Sequence, residues 1–203
     1  RQQEFERGKS YSFLIDSVSD CTGSILMNAR IEVYLHDSGD IVINELLTNP
    51  RGSGTDFVEL YNHSAYAVSL KDWSLAYKDT KDSLRFNPIS THALSLSPAG
   101  YVALNEDNED LVFNYPGALN QRLVEMNLPS YANDKARVLL YDQLGTLMDR
   151  FEYSEDLQFD LIDNLDGVSI ERLDPKRATN DPGNWHSASS TENYGTPGYM
   201  NSQ

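Results

Sequence analysis

Apolar and polar residues alternate along most of this chain in runs of five to nine positions, and clusters of Ser, Asp, Asn, Gly and Pro separate the runs. Such a pattern predicts short, half-buried β-strands punctuated by turns. "SYSFLIDSV" (10–18) and "ARIEVYLH" (29–36) come first, joined by the turn-rich "SDCTGS", and read as a hairpin. "HDSGD" (36–40) gathers Asp, Ser and Gly and marks a boundary, with one piece over 1–38 and a larger domain over 39–203. "DIVINELL", "DFVELYNH", "AVSL", "WSLAY", "YVALN", "ARVLLYD", "TLMDRFEY" and "VSIERL" follow. Strands this short need a second sheet to bury their apolar faces, so the expected fold is an all-β antiparallel sandwich. The best helix candidate is "NEDLVFNYPG", with Asn108 as cap, Glu109 and Asp110 in the first turn, and Pro116 and Gly117 as the stop.

Two strands break the alternation with polar groups. A strict period of two in "IVINELL" places Ile41, Ile43, Glu45 and Leu47 on one face and Val42, Asn44 and Leu46 on the other. In "DFVELYN", Val58 and Leu60 lie opposite Phe57, Glu59 and Tyr61, and Asn62 ends the run. Glu45 and Glu59 therefore sit among large apolar neighbours, where an unpaired charge is costly. Three readings are open. The carboxylates accept backbone N–H groups or pair with an arginine, for which Arg172 is the expected partner. Alternatively, Glu45, Asp56 and Glu59 supply oxygens to a hard cation such as calcium. The third reading is paired-carboxylate catalysis, which needs a cleft and two distinct proton affinities. The structural reading is favoured, because in-strand polar groups are mostly satisfied within the fold.

Charge narrows the partners. The 203 residues carry 16 Lys and Arg against 31 Asp and Glu, a net charge of −15, which disfavours nucleic acid as a partner. No apolar run approaches the length of a membrane span, which predicts a soluble chain without direct membrane insertion. No signal-peptide pattern is visible at the start. Cys21 is the single cysteine, so neither an intrachain disulfide nor a zinc site can be built on thiols. "NEDNED" (105–110) lacks the Gly and distal Glu that make a calcium loop specific, and reads as helix capping. In "NDPGNWHSASS" a tight turn presents Trp185, expected to seal one end of the core, and His186, expected to hydrogen-bond locally. His36, His63 and His92 stand isolated, and no catalytic triad, metal quartet or cofactor motif is apparent. The loops 127–136 and 154–167 are expected to be exposed contact surfaces.

An ordered series of motifs resembles the lamin tail domain in its bacterial form. A strand ends in Asn44-Glu45, an Asn-Pro turn follows, then Phe-Val-Glu-Leu-Tyr-Asn over 57–62, then Leu70, Trp73 and Leu75. "LSPAGYVAL", "NDKARVLLYDQLGTLMDRFEY" and "GVSIERLDPKRATNDPGNWHSASSTENYGTPGYMNS" continue the similarity over about residues 40–202. The resemblance implies an immunoglobulin-like β-sandwich without catalytic residues or a cofactor. It also implies a structural or interaction module of a multidomain secreted or cell-surface bacterial protein, serving adhesion or domain spacing. Its partners would be other domains of the parent chain, an extracellular protein or a glycan. The alternative is a calcium- or carbohydrate-binding accessory domain of a secreted hydrolase or nuclease. The first 38 residues resemble the last two strands of bacterial immunoglobulin-like domains, with "SDCTGS" where that family carries an Asp-x-x-Gly-Asn turn.

Overall fold

The computed structural model describes residues 4–78 and 81–203, which fall into two compact units, Arg1–Asp37 and Ser38–Gln203. The first is a two-stranded ribbon. β1 (Lys9–Ile15) pairs antiparallel with β4 (Ala29–Leu35), and β2 (Val18–Ser19) with β3 (Ile25–Leu26) extends the ladder to the tip. There Asp20 closes the turn, its carboxylate accepting the backbone N–H groups of Thr22 at 2.8 Å and Ser24 at 3.0 Å. Cys21 lies exposed in this turn. Phe5 packs on Tyr11 and Phe13, with ring centroids 4.7 and 5.9 Å apart.

The second unit contains β5 (Ile41–Leu47), β6 (Phe57–Asn62), β7 (Val68–Ser69), β8 (Ser74–Lys78), β9 (Leu84–Pro88), β10 (Ser95–Leu96) and β11 (Tyr101–Asn105). A single α-helix among the described residues, α1 (Asn108–Asn114), precedes β12 (Leu123–Glu125), β13 (Lys135–Tyr141), β14 (Leu147–Ser154), β15 (Ile170–Arg172) and β16 (Trp185–Ser187). One sheet runs β12-β11-β6-β5-β15-β16 and the other β14-β13-β8-β9, while β7 and β10 form a small separate ladder. Except for the parallel β11–β12 pair, the ladders are antiparallel. Ile43, Val58, Leu60, Trp73, Leu75, Val138, Leu140, Phe151 and Trp185 share one buried core, as a two-layer sandwich requires. Trp185 stacks on Phe151 at 3.7 Å between centroids and 13° between planes, and its indole N–H donates to the Thr179 carbonyl at 2.6 Å. Trp185 thus enters the core from the edge strand β16 rather than from a loop.

A second cluster occupies the outer face of the six-stranded sheet: Leu47, Phe57, Ala103 and Leu123 pack against Leu111 of α1 and Tyr115 just beyond it. The helix is capped one residue earlier than expected. Asp107, in extended backbone, accepts the N–H groups of Glu109 and Asp110 at 3.0 Å each, while Asn108 turns its side-chain oxygen to the Asn105 amide. "NEDNED" is thus occupied by capping bonds within the chain.

The strict alternation expected for "IVINELL" fails at one residue. The β5–β6 register shifts between Ile43 and Glu45, so Asn44 is an extra residue in a β-bulge. Ile41, Ile43 and Leu46 consequently face the main core, whereas Leu47 belongs to the outer cluster, on the same face as Glu45. Asn62, fully buried, organises the far end of β6. Its amide donates to the carbonyls of Tyr66 and Leu96 at 2.8 Å each, and its oxygen accepts the Ser64 N–H at 2.9 Å.

Replacing Trp185 with Ala removes the stacked plug and leaves a cavity against Phe151. Urea unfolding is expected to show a loss of roughly 3–5 kcal/mol.

Candidate functional site: a buried row of carboxylates

Register places three glutamates side by side. Glu59 on β6 stands opposite Glu45 on β5, and Glu45 stands opposite Glu171 on β15. All three are completely buried. The bulge at Asn44 is what turns Glu45 away from the main core into this row, and the chain's last residues, Gly195–Ser202, lie across it as a strap. Thr196 donates its N–H to Glu45 Oε1 at 2.9 Å, and Gly198 donates its N–H to Glu59 Oε2 at 2.6 Å. Ser202 donates its N–H to Glu171 at 3.0 Å and its hydroxyl at 2.8 Å. Asn44 adds its amide to Glu59 Oε1 at 2.8 Å and also bonds Asn201, whose own amide reaches the Arg172 carbonyl at 2.7 Å. Ser169 donates to Glu45 from the neighbouring strand side.

Two strap glycines are geometrically required. Gly198 has φ of +90°, a left-handed conformation that aims its N–H at Glu59. At Gly195 a Cβ would stand 2.6 Å from the Tyr115 ring.

Burial disfavours the charged form of Glu45 and Glu59. The Glu45 carboxyl is pushed up to about 8, first by burial and then by the charge of Glu171. Glu59 is pushed well above the usual carboxylate range, again by burial and then by Glu45. Among the described residues no guanidinium or ammonium is paired with Glu45, Glu59 or Glu171.

Arg172 does not pair with either glutamate, contrary to expectation. Consecutive strand residues point to opposite sides, so on β15 it is Glu171 that meets Glu45, and Arg172 turns the other way. Its buried guanidinium donates to the carbonyls of Ile43 at 3.2 Å and Arg177 at 2.7 Å, and approaches Asp149 at 3.5 Å. Asp149 in turn accepts the Ile43 N–H at 2.8 Å and the Thr179 hydroxyl at 2.6 Å. Arg172 thus ties β5, β14 and the 174–181 loop together.

Asp56 does not join Glu45 and Glu59. It is partly buried and its carboxyl is pushed up to about 6, by burial and then by Glu106. Among the described residues no group of three or more His, Cys, Asp or Glu side chains is spaced to hold a metal ion. Asn62, Trp73 and Trp185 lie apart from the carboxylate row, Asn62 at a turn and both tryptophans in the main core. Glu171, Ser169, Thr196, Gly198 and Ser202 escaped the sequence reading. An in-strand Glu171 in "VSIERL" was the one signal available.

The motifs of β5, β6 and β8 that suggested kinship all lie in the sandwich, and those of β5 and β6 carry two members of this row. The family model of the lamin tail domain matches residues 35–155. The chain belongs to the lamin tail domain family. Such immunoglobulin-like domains are non-enzymatic and support a structural or interaction role in general. Comparison with curated proteins found no match. In this lamin tail domain, Glu45 and Glu59 fall inside the matched stretch, whereas Glu171 and the strap lie beyond its end.

The Arg172→Ala variant strands several buried carbonyls together with Asp149, and is expected to lose about 3–5 kcal/mol in urea unfolding. Arg172→Lys should restore little of this, since an ammonium cannot reproduce the planar fork.

Proposed function

We propose that this lamin tail domain is a non-catalytic module of a multidomain secreted or cell-surface bacterial protein, serving adhesion or the spacing of neighbouring domains. The observation that supports this reading most is the fate of its carboxylates. Glu45, Glu59 and Glu171, the residues best suited to chemistry, are withdrawn from solvent and bonded to the chain's own strap. A substrate cannot reach them without dismantling the fold. The exposed chemistry lies in loops, where contacts with other domains, extracellular proteins or glycans would be made. The 154–167 loop suits this role, with Phe159 and Leu161 substantially exposed. The 127–136 loop suits it less than its sequence suggests, because Leu128 and Tyr131 anchor it in the core.

The rival reading, a calcium- or carbohydrate-binding accessory domain, differs in what stabilises the fold. Bound cation would raise the melting temperature by mass action. Thermal melting with and without excess EDTA is expected to differ by no more than about one degree, and a glycan array to give a flat response. A loss of several degrees in EDTA would instead support calcium dependence, and a specific glycan signal the carbohydrate reading.

A further inference from the structure

The hydrogen bonds across the carboxylate row cannot all form unless the row holds a proton. Thr196 Oγ1 lies 2.9 Å from Glu45 Oε2 and 2.8 Å from Glu171 Oε1. A hydroxyl has one hydrogen to donate. It can serve one carboxylate, and the other contact is then oxygen against oxygen with no hydrogen between, unless that carboxyl is itself protonated and donates to the hydroxyl. Ser169 raises no such conflict, since its backbone N–H serves the Tyr194 carbonyl and its hydroxyl donates to Glu45 Oε1. Glu171 already accepts the Ser202 N–H and hydroxyl, which leaves Glu45 as the acid that needs the proton. A proton on Oε2 satisfies the Thr196 contact, after which Thr196 is free to donate to Glu171 and the Thr196 N–H still bonds Glu45 Oε1.

We propose that a proton bound by Glu45 and relayed through Thr196 to Glu171 is the latch that holds the C-terminal strap, Gly195–Ser202, against the sheet, so that the strap opens as this proton is lost. The groups around Glu45 agree with a neutral acid there. Glu59 faces it from β6 and Glu171 from β15, both acidic. Tyr115 beyond α1 and Tyr199 of the strap lie within electrostatic range and carry no positive charge. The nearby cations are occupied with carbonyls and do not neutralise the row: Arg51 donates to Asn193 O at 2.7 Å and Arg122 to Gly198 O at 3.0 Å. Losing the proton would leave a buried charge on Glu45, with Glu45 and Glu171 competing for one hydroxyl.

The sign follows from linkage. A solvated glutamate in the open strap releases its proton near the ordinary value of 4.5, whereas the closed site holds it up to about 8. Between those limits opening releases the Glu45 proton, so this group alone raises the opening equilibrium up to about tenfold per pH unit and levels off above the upper limit, and Glu59, raised in the same direction, adds to the slope.

Peptide-resolved amide hydrogen exchange on the full chain at pH 5.5 and 8.5, corrected for intrinsic exchange rates, tests this directly. Protection of residues 195–202 is expected to fall at least tenfold at the higher pH, with β13 and β14 far less affected. Glu45→Gln supplies a permanent amide donor to Thr196 in place of the proton, and its strap protection should fall by at least about tenfold less than the wild type's over the same range, the remainder coming from Glu59. Thr196→Val, which removes the relay, should leave the strap weakly protected at both values. Equal strap protection in the wild type at the two pH values would overturn the latch even if no variant folds. A Glu45→Gln protein that keeps the wild-type drop would overturn it as well. Neither outcome bears on whether the module spaces or adheres.

Discussion

The architecture of the larger unit depends on how three buried carboxyl groups are satisfied. A sheet face carrying Glu59, Glu45 and Glu171 in one row is unstable alone, since each acid leaves water and meets another acid rather than a cation. The C-terminal strap resolves this by bringing N–H and O–H donors from Thr196, Gly198 and Ser202 to the row. The consequence is long-range closure: residues near position 45 are fastened to residues some 150 positions later, which staples both ends of the unit onto its central strands. Such closure is expensive in chain entropy, and the dense donor set offsets it.

The same logic recurs elsewhere in the sandwich. Asn62 collects two carbonyls and the two donors of Ser64, Arg172 collects carbonyls from β5 and from the 174–177 stretch, and Asp149 accepts the Ile43 N–H beside the bulge. Polar side chains here replace backbone pairing wherever a strand bends, bulges or ends. That is a scaffold's use of polarity, and it leaves no open hollow in which the row of carboxylates meets solvent.

Much of this was legible in the sequence, because period-two alternation and turn chemistry are local. The sandwich, the strands around Glu45 and Glu59 and the short helix all followed from runs of fewer than ten residues or from family motifs. What escaped was non-local or phase-dependent. The bulge at Asn44 has no distinctive residue to announce it, yet one extra position moves Glu45 and Leu47 to the opposite face from Ile43. Arg172 was the natural partner by charge, but strand alternation gave that place to Glu171. β9 and β16 were missed because "LRFNP" ends in proline and "WHS" is only three residues long, so tertiary pairing rather than propensity makes them strands. The strap "GTPGYMNS" reads as a loop from composition, and only the fold shows what its donors are for.

The most direct measurement of this account is a carbon-13 NMR titration of the glutamate side-chain carboxyls in the intact protein. A scaffold row closed by shared hydrogen bonds predicts that Glu45 is still protonated at neutral pH and titrates near 8. If Glu45 instead titrates at the ordinary glutamate value of 4.5, the row is open to solvent or paired with a cation, and the account is contradicted.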